Sequence, residues 1–229
     1  MPLIRKPPLD NVRRVQTNGS NLRYTLTNKA GRLVQCESQQ ERKLALLLER
    51  DQTICDYGSQ PERLRWQDEA GQQHTYVPDF IVWRLDGRVE LHEVTLTHRQ
   101  SQPQQQNRQH AAHRICEERG WTYWLHTEKT LPDDTVTANL LFLYAYRSRN
   151  FAHPRVKTTA VEYLHTQRLP FCKLVLQLEA ALKLPPPILH MSVLHLLWHD
   201  ILETDLTRLL VHNGKLLSQI QIGFKGDML

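Results

Sequence analysis

Long apolar runs are missing from this chain: nowhere do its 229 residues approach the ~20 consecutive apolar positions of a membrane span. The N-terminus, Met1-Pro2-Leu3-Ile4-Arg5-Lys6-Pro7-Pro8, has no apolar core of the secretory kind, so the expected location is the cytoplasm. Cysteine is sparse and scattered. Cys36, Cys55, Cys116 and Cys172 form no Cys-x-x-Cys pair, which argues against a zinc ribbon or a disulfide framework and predicts four reduced, mostly buried thiols. There is no phosphate-binding glycine-rich loop and no nucleophile elbow. His195 and His199 are spaced as zinc-protease histidines are, but no glutamate follows the first, so a helix surface or core explains them better.

What is present is an ordinary globular composition, 40% hydrophobic and 23% charged, with enough length for one large domain or two small ones. The net charge of +5 and sequence pI near 9.1 suit a polyanionic partner. Much of the excess is local. Residues 1–34 hold seven bases, Arg5, Lys6, Arg13, Arg14, Arg23, Lys29 and Arg32, against one acid, Asp10. They read either as a basic arm that holds phosphates or as a solvated tail.

Residues 38–50 predict a helix with Ser38 as N-cap and Glu41 at the third helical position, a capping box. Short strands are expected near 54–57 and 62–66, followed by a turn at 69–71. The stretches 74–84 and 88–97 read as a hairpin joined at Leu85-Asp86-Gly87. A two-residue loop would pair residues whose numbers sum to 173, leaving Asp79 and Glu93 on opposite faces. A three-residue loop with a left-handed Gly87 gives 172 and sets Asp79 across from Glu93, with Thr95 on the same face. Pro78, which cannot donate to a ladder, predicts an irregularity there.

The glutamine-rich residues 99–109 read as a mobile loop, followed by a helix over 108–119 ended by Gly120 and a strand over 121–126. Trp121, Tyr123 and Trp124 fit a core better than a base-stacking platform. Beyond residue 150 the pattern predicts helices over 155–167, 170–184, 190–201 and 204–210, then a small hairpin over 215–224. The fold class is therefore α/β, a mixed sheet flanked by helices, followed by a small helical winged-helix-like domain. The divisions are a basic arm 1–34, a first domain 35–149 and a second domain 150–229. The second domain is not notably basic, which favours a protein contact over DNA.

The order Glu41, Asp79, Glu93 is that of carboxylates able to hold a divalent ion for phosphodiester hydrolysis, with the Val94 carbonyl completing the shell. Such sites place a lysine two residues after the second acid, where Thr95 stands here. Thr95 can donate a hydrogen bond but brings no charge. Losing a preorganised cation costs on the order of 3 kcal/mol at the barrier unless another group supplies it. His92, His98, Arg99, Gln105 and Arg108 are the candidates. Strand alternation turns His92 away from Glu93.

Cys36-Glu37-Ser38-Gln39-Gln40-Glu41, Gln60-Pro61, Tyr76-Val77-Pro78-Asp79-Phe80, Glu93-Val94 and the passage from Gly120-Trp121 to Thr127-Glu128 together resemble the TnsA endonuclease subunit of heteromeric bacterial transposases. The resemblance covers about residues 30–145 and implies a restriction-endonuclease-like core that cuts the 5′ ends of a transposon. It implies Glu41 and Asp79 as catalytic acids, Glu93 two places before the catalytic lysine, and Thr95 at the lysine position itself. It further implies Mg²⁺ or Mn²⁺, DNA at transposon ends, a TnsB-like partner transposase, and a TnsC-like ATPase regulator bound through the C-terminal domain. Arg5, Lys6, Arg13, Arg14, Arg99 and Arg108 are candidate DNA contacts. The alternatives are a nuclease fold kept as a DNA-end or transposase-docking adaptor, with Thr95 marking lost cleavage, and a nuclease serving defence or repair.

Overall fold

The computed structural model describes residues 23–67 and 71–226. It divides into two compact units, 1–132 and 133–229, each treated by itself below. The division falls earlier than the one at 149/150 drawn from the helical pattern, and it assigns the helix at Asp134–Tyr144 to the second unit. Arg5, Lys6, Arg13 and Arg14 lie outside the described residues. The described part of the arm, residues 23–34, is not a tail. It enters a hairpin of β1 (Tyr24–Thr27) and β2 (Leu33–Cys36), with Leu26 and Val34 buried.

Helix α1 (Gln39–Arg50) begins where the sequence places it. Ser38 Oγ accepts the Glu41 amide at 3.1 Å, and the buried Leu44, Ala45, Leu46 and Leu48 supply its inner surface. Strand β3 (Ile54–Ser59) follows, then a hairpin of β4 (Leu64–Gln67) and β5 (Gln73–Tyr76). Pro78 interrupts the next predicted strand. Instead of one long 74–84 strand, β5 pairs with β4, and β6 (Phe80–Arg84) starts a separate ladder.

The β6 partner is β7 (Val89–Val94), with Phe80 opposite His92 and Ile81 opposite Leu91, so the pairs sum to 172. The loop between them is the three-residue kind: Arg84 N–H donates to the Arg88 carbonyl at 2.9 Å and Gly87 N–H to the Arg84 carbonyl at 3.1 Å. Gly87 has φ +90°, a region where a Cβ costs roughly 1–2 kcal/mol. That glycine sets which face every β7 side chain occupies, because a slip of one residue would invert them all.

The glutamine-rich stretch is not a loop. A 3-10 turn at Thr97–Arg99 leads into α2 (Pro103–Arg119), with Pro103 in its first turn. The amphipathic pattern is lacking because α2 buries only Ala111, Ala112, Ile115 and Cys116, all in its second half. Glutamine is a good helix former, and Pro103 has the φ a first turn needs. Gly120, φ +66°, closes the helix. Its amide donates to the Glu117 carbonyl at 3.1 Å and the Trp121 amide to the Cys116 carbonyl at 2.8 Å, the Schellman pattern. The chain then returns as β8 (Thr122–His126), parallel to β7.

The resulting sheet has the order β3-β6-β7-β8, mixed in direction, in agreement with the expected α/β class. Leu64, Tyr76, Leu91, Ala112, Ile115 and Cys116 form a core on one face, with Trp66, Trp121 and Tyr123 packed against it. Trp124 is 47% exposed. The four cysteines are free thiols. Cys36 and Cys116 are buried, Cys172 is half-buried and Cys55 is exposed.

In the second unit, α3 (Asp134–Tyr144) precedes α4 (Pro154–Leu164), β9 (Leu169–Pro170), α5 (Phe171–Leu182) and α6 (Pro186–Trp198). Strand β10 (Leu202–Glu203) comes next, then a small hairpin of β11 (Val211–His212) and β12 (Lys215–Leu216), and finally β13 (Gln221–Phe224). Strand β13 lies between β10 and β9, so the predicted 215–224 hairpin is wrong: the tight turn joins β11 to β12 instead. The predicted helix over 204–210 is also overturned. Buried Asn139 donates to the Leu206 and Arg208 carbonyls, both at 2.8 Å, and accepts from the Leu210 amide at 2.9 Å. Asp205 caps the Thr207 amide. Side-chain partners thus take the backbone groups that a helix would have paired with each other. His195 and His199 hydrogen-bond the carbonyls of Tyr146 and Arg147, each at 2.9 Å, as structural histidines do.

Candidate active site

Register 172 brings Asp79 and Glu93 to one face. Asp79 sits just before β6, where its carbonyl accepts from the Gln60 amide at 2.8 Å and its Oδ2 accepts from the Val94 amide at 2.7 Å. The acid is thus held from both neighbouring strands. Burial raises its pKa well above the usual carboxylate range, and the charges of Glu41 and Glu93 raise it further. The Val94 amide and Arg108 oppose that shift.

Glu93 is 2% exposed. Its Oε1 accepts from Arg108 at 3.0 Å and from Gln105 at 3.2 Å, and its Oε2 accepts from the Tyr123 hydroxyl at 3.2 Å. Burial, then the Glu93 charge, raises the Tyr123 pKa, so it remains a donor. Of the groups proposed to replace a lysine, α2 therefore delivers Gln105 and Arg108 to the acids. That juxtaposition was hidden because the segment reads as a loop. His98 and Arg99 are exposed in the 3-10 turn.

Glu41 belongs to the same electrostatic neighbourhood, since its charge raises both Asp79 and, after burial, the Cys36 thiol. Its carboxylate nevertheless closes its own helix cap, accepting from the Glu37 amide and the Ser38 hydroxyl, both at 2.8 Å. Accordingly, among the described residues no three His, Cys, Asp or Glu side chains stand close enough to hold an ion as they are. Thr95 is buried, and its amide donates to the His126 carbonyl at 2.9 Å.

The opposite face carries a second polar cluster that the sequence does not announce. Arg84 Nε forms an ion pair with Glu90 at 2.9 Å, and its terminal nitrogen donates to Asp51 at 2.9 Å. His92 Nε2 lies 3.2 Å from the other Glu90 oxygen, and His92 Nδ1 lies 2.9 Å from His126 Nε2. Burial lowers the His92 pKa despite Glu90. Burial, with help from His92, lowers that of His126 to about 4. Both rings are then neutral at pH 7: His92 donates through Nε2, and His126 donates to its Nδ1. As strand alternation predicts, His92 faces away from Glu93 and takes no part in the acid site.

A mixed sheet flanked by helices in this order is consistent with a restriction-endonuclease-like fold. The segment from β3 through β8 is similar to the TnsA-like endonuclease N-terminal domain, whose family model matches residues 51–128. That span contains Asp79, Glu93, Thr95 and Arg108 and stops short of Glu41. The match falls wholly within the first unit. No curated protein matches the chain.

Proposed function

We propose that this chain is the metal-dependent endonuclease subunit of a heteromeric transposase and that it cuts at the 5′ ends of a transposon in the bacterial cytoplasm. The observation that carries this reading is the convergence of Asp79 and Glu93 in one register, with Glu41 in electrostatic reach of Asp79. Carboxylates whose charges raise the pKa of a buried neighbour, as Glu41 and Glu93 raise that of Asp79, form a donor set fitted to a hard divalent cation, which would reverse the repulsion. Asp79 and Glu93 would hold Mg²⁺ or Mn²⁺ together with the Val94 carbonyl. Glu41 would join either on leaving its cap or through a water. The ion's contribution when bound is charge relief at the phosphoryl oxygens and a more acidic water.

The protein's own groups do the rest. Tyr123 and Gln105 fix the rotamer of Glu93, and the Val94 amide fixes that of Asp79. Pre-set orientation of this kind is what spares reorganisation in the transition state. The arm residues Arg5, Lys6, Arg13 and Arg14, with Arg99, would contact phosphates along the DNA.

Within the second unit α4, β9, α5, α6, β10 and β13 run helix, strand, helix, helix, strand, strand, which supports a winged-helix reading. Its α6 carries no Lys or Arg, and Leu176, Ile188, Leu209 and Leu217 are exposed nearby in sequence. Those features favour protein partners, a TnsB-like transposase and a TnsC-like ATPase, over DNA for this unit. The adaptor alternative rests on Thr95, which brings no charge, and on the closed cap of Glu41.

The deciding experiment is nicking of labelled transposon-end and supercoiled DNA in Mg²⁺ or Mn²⁺, with and without the partner transposase. Cleavage that Asp79→Ala abolishes supports the endonuclease. Binding of DNA ends with no cleavage in any combination supports the adaptor.

A further inference from the structure

Resting on the nuclease reading, we infer that Arg108 supplies the cation of this active site, taking from helix α2 the place that strand β7 leaves empty at Thr95. Five observations on one side chain carry the inference. Its guanidinium is 3.0 Å from Glu93 Oε1, so it stands at the acid pair. Its side chain is 35% exposed while that of Glu93 is 3% exposed, so the cation that meets the buried acid also reaches solvent. Arg108 lines a cleft of about 330 Å³ shared with Arg63, Thr75, Tyr76, Val77 and Gln104. The ring of Tyr76 lies under the guanidinium at 4.9 Å and sets its plane. Arg108 Nε is buried without a hydrogen-bond partner.

The pair with Glu93 occupies one of the two terminal nitrogens, and a guanidinium carries five N–H donors in a flat fork that matches a phosphate. In the reaction the water oxygen bonds to phosphorus and its proton leaves to solvent. The bond from phosphorus to the leaving oxygen breaks, and that oxygen takes up a proton. Negative charge grows on the non-bridging oxygens in between, and a fixed cation at the cleft edge offsets it. Arg108 keeps all its protons throughout, so its part is electrostatic and not general-base catalysis.

The test compares wild type, Arg108→Ala, Arg108→Lys, Thr95→Lys and the double variant Arg108→Ala/Thr95→Lys. Three quantities are measured: the single-turnover nicking rate in Mn²⁺, the affinity for a fluorescent duplex in Ca²⁺, and Mn²⁺ binding to the chain without DNA. Arg108→Ala is expected to slow nicking on the order of 100-fold with duplex affinity changed less than about threefold. Arg108→Lys should retain most of the rate, and Thr95→Lys should restore the alanine variant. Mn²⁺ should bind Arg108→Ala at least as tightly as wild type, because a competitor for Glu93 is gone.

Mn²⁺ affinity that falls in step with the rate would reduce Arg108 to a support for Glu93 and overturn the inference. So would Arg108→Ala cutting at wild-type rate while Asp79→Ala is dead, an outcome that leaves the nuclease reading intact. A wild type that is silent beside an active Thr95→Lys would show that Arg108 does not supply the charge. Silence of every variant, partner present, overturns the nuclease reading and this inference with it. Thermal melts of each variant separate unfolding from lost chemistry.

Discussion

Strand β7 places Glu90 on one face of the four-stranded sheet and Glu93 on the other, each nearly sealed from solvent at 1% and 2% exposure. Around Glu90 the charges close. Burial pushes its pKa up, but hydrogen bonds from His92 and Arg84 outweigh that and hold the carboxyl at about 2. Arg84 in turn is anchored by Asp51. Around Glu93 they do not close: Arg108 answers one carboxylate, while Asp79 remains raised by burial, Glu41 and Glu93. A buried acid with matched partners is a structural element. A buried acid cluster with surplus negative charge is an unfavourable arrangement that a bound cation would relieve. Burial alone does not distinguish the two faces; the balance of the charges around each acid does.

The largest effect should come from removing the surplus. Asp79→Asn is expected to lower DNA nicking by more than about 10³-fold, or about 4 kcal/mol. The raised Asp79 carboxyl works against the metal-free fold as pH climbs through its folded-state value, so the same variant should melt slightly higher than wild type without metal. A melting temperature that drops together with activity would place Asp79 among the structural acids.

Next is the closed face. Glu90→Ala removes the partner of Arg84 and His92 and should cost about 3 kcal/mol in urea unfolding. Because the folded-state pKa is depressed below its ordinary value of 4.5, the Glu90 contribution is complete above that value and fades as pH falls toward about 2. Glu90→Gln should therefore flatten the stability profile in that acid window. An unchanged profile would break the contrast.

A smaller effect, about 1–2 kcal/mol, is expected from Mg²⁺ or Mn²⁺ at saturating concentration, which should raise the melting temperature of wild type and Glu90→Gln but not of Asp79→Asn. Equal shifts in all three would place binding elsewhere. Smallest should be Gln105→Ala. It removes one of three side-chain hydrogen bonds to Glu93 and should slow nicking roughly fivefold, with stability lowered by no more than about 1 kcal/mol.

Particular residues explain what could be read from the chain. Ser38 and Glu41 announce α1 because a capping box is local, satisfied within four residues. Gly120 announces the end of α2 for the same reason. Gly87 marked a turn, yet loop lengths of two and three residues were both open, since the turn chemistry allows either and only the ladder beyond it decides. Helix α2 was missed in its first half because glutamines carry no apolar period. The false helix at 204–210 arose because Asn139, more than sixty residues away in sequence, takes its backbone groups.

By itself the sequence determined the order of the acids, the capped helix before them and the departure at Thr95, because identity and spacing are properties of the chain. Tertiary structure alone decided which face each acid occupies, that Glu41 is engaged in its own cap, and that Arg108 crosses from α2 to meet Glu93. The reason is physical: register and helix packing are set by the summed burial of many distant residues. A charge on one element finds its partner on another only after that packing has closed.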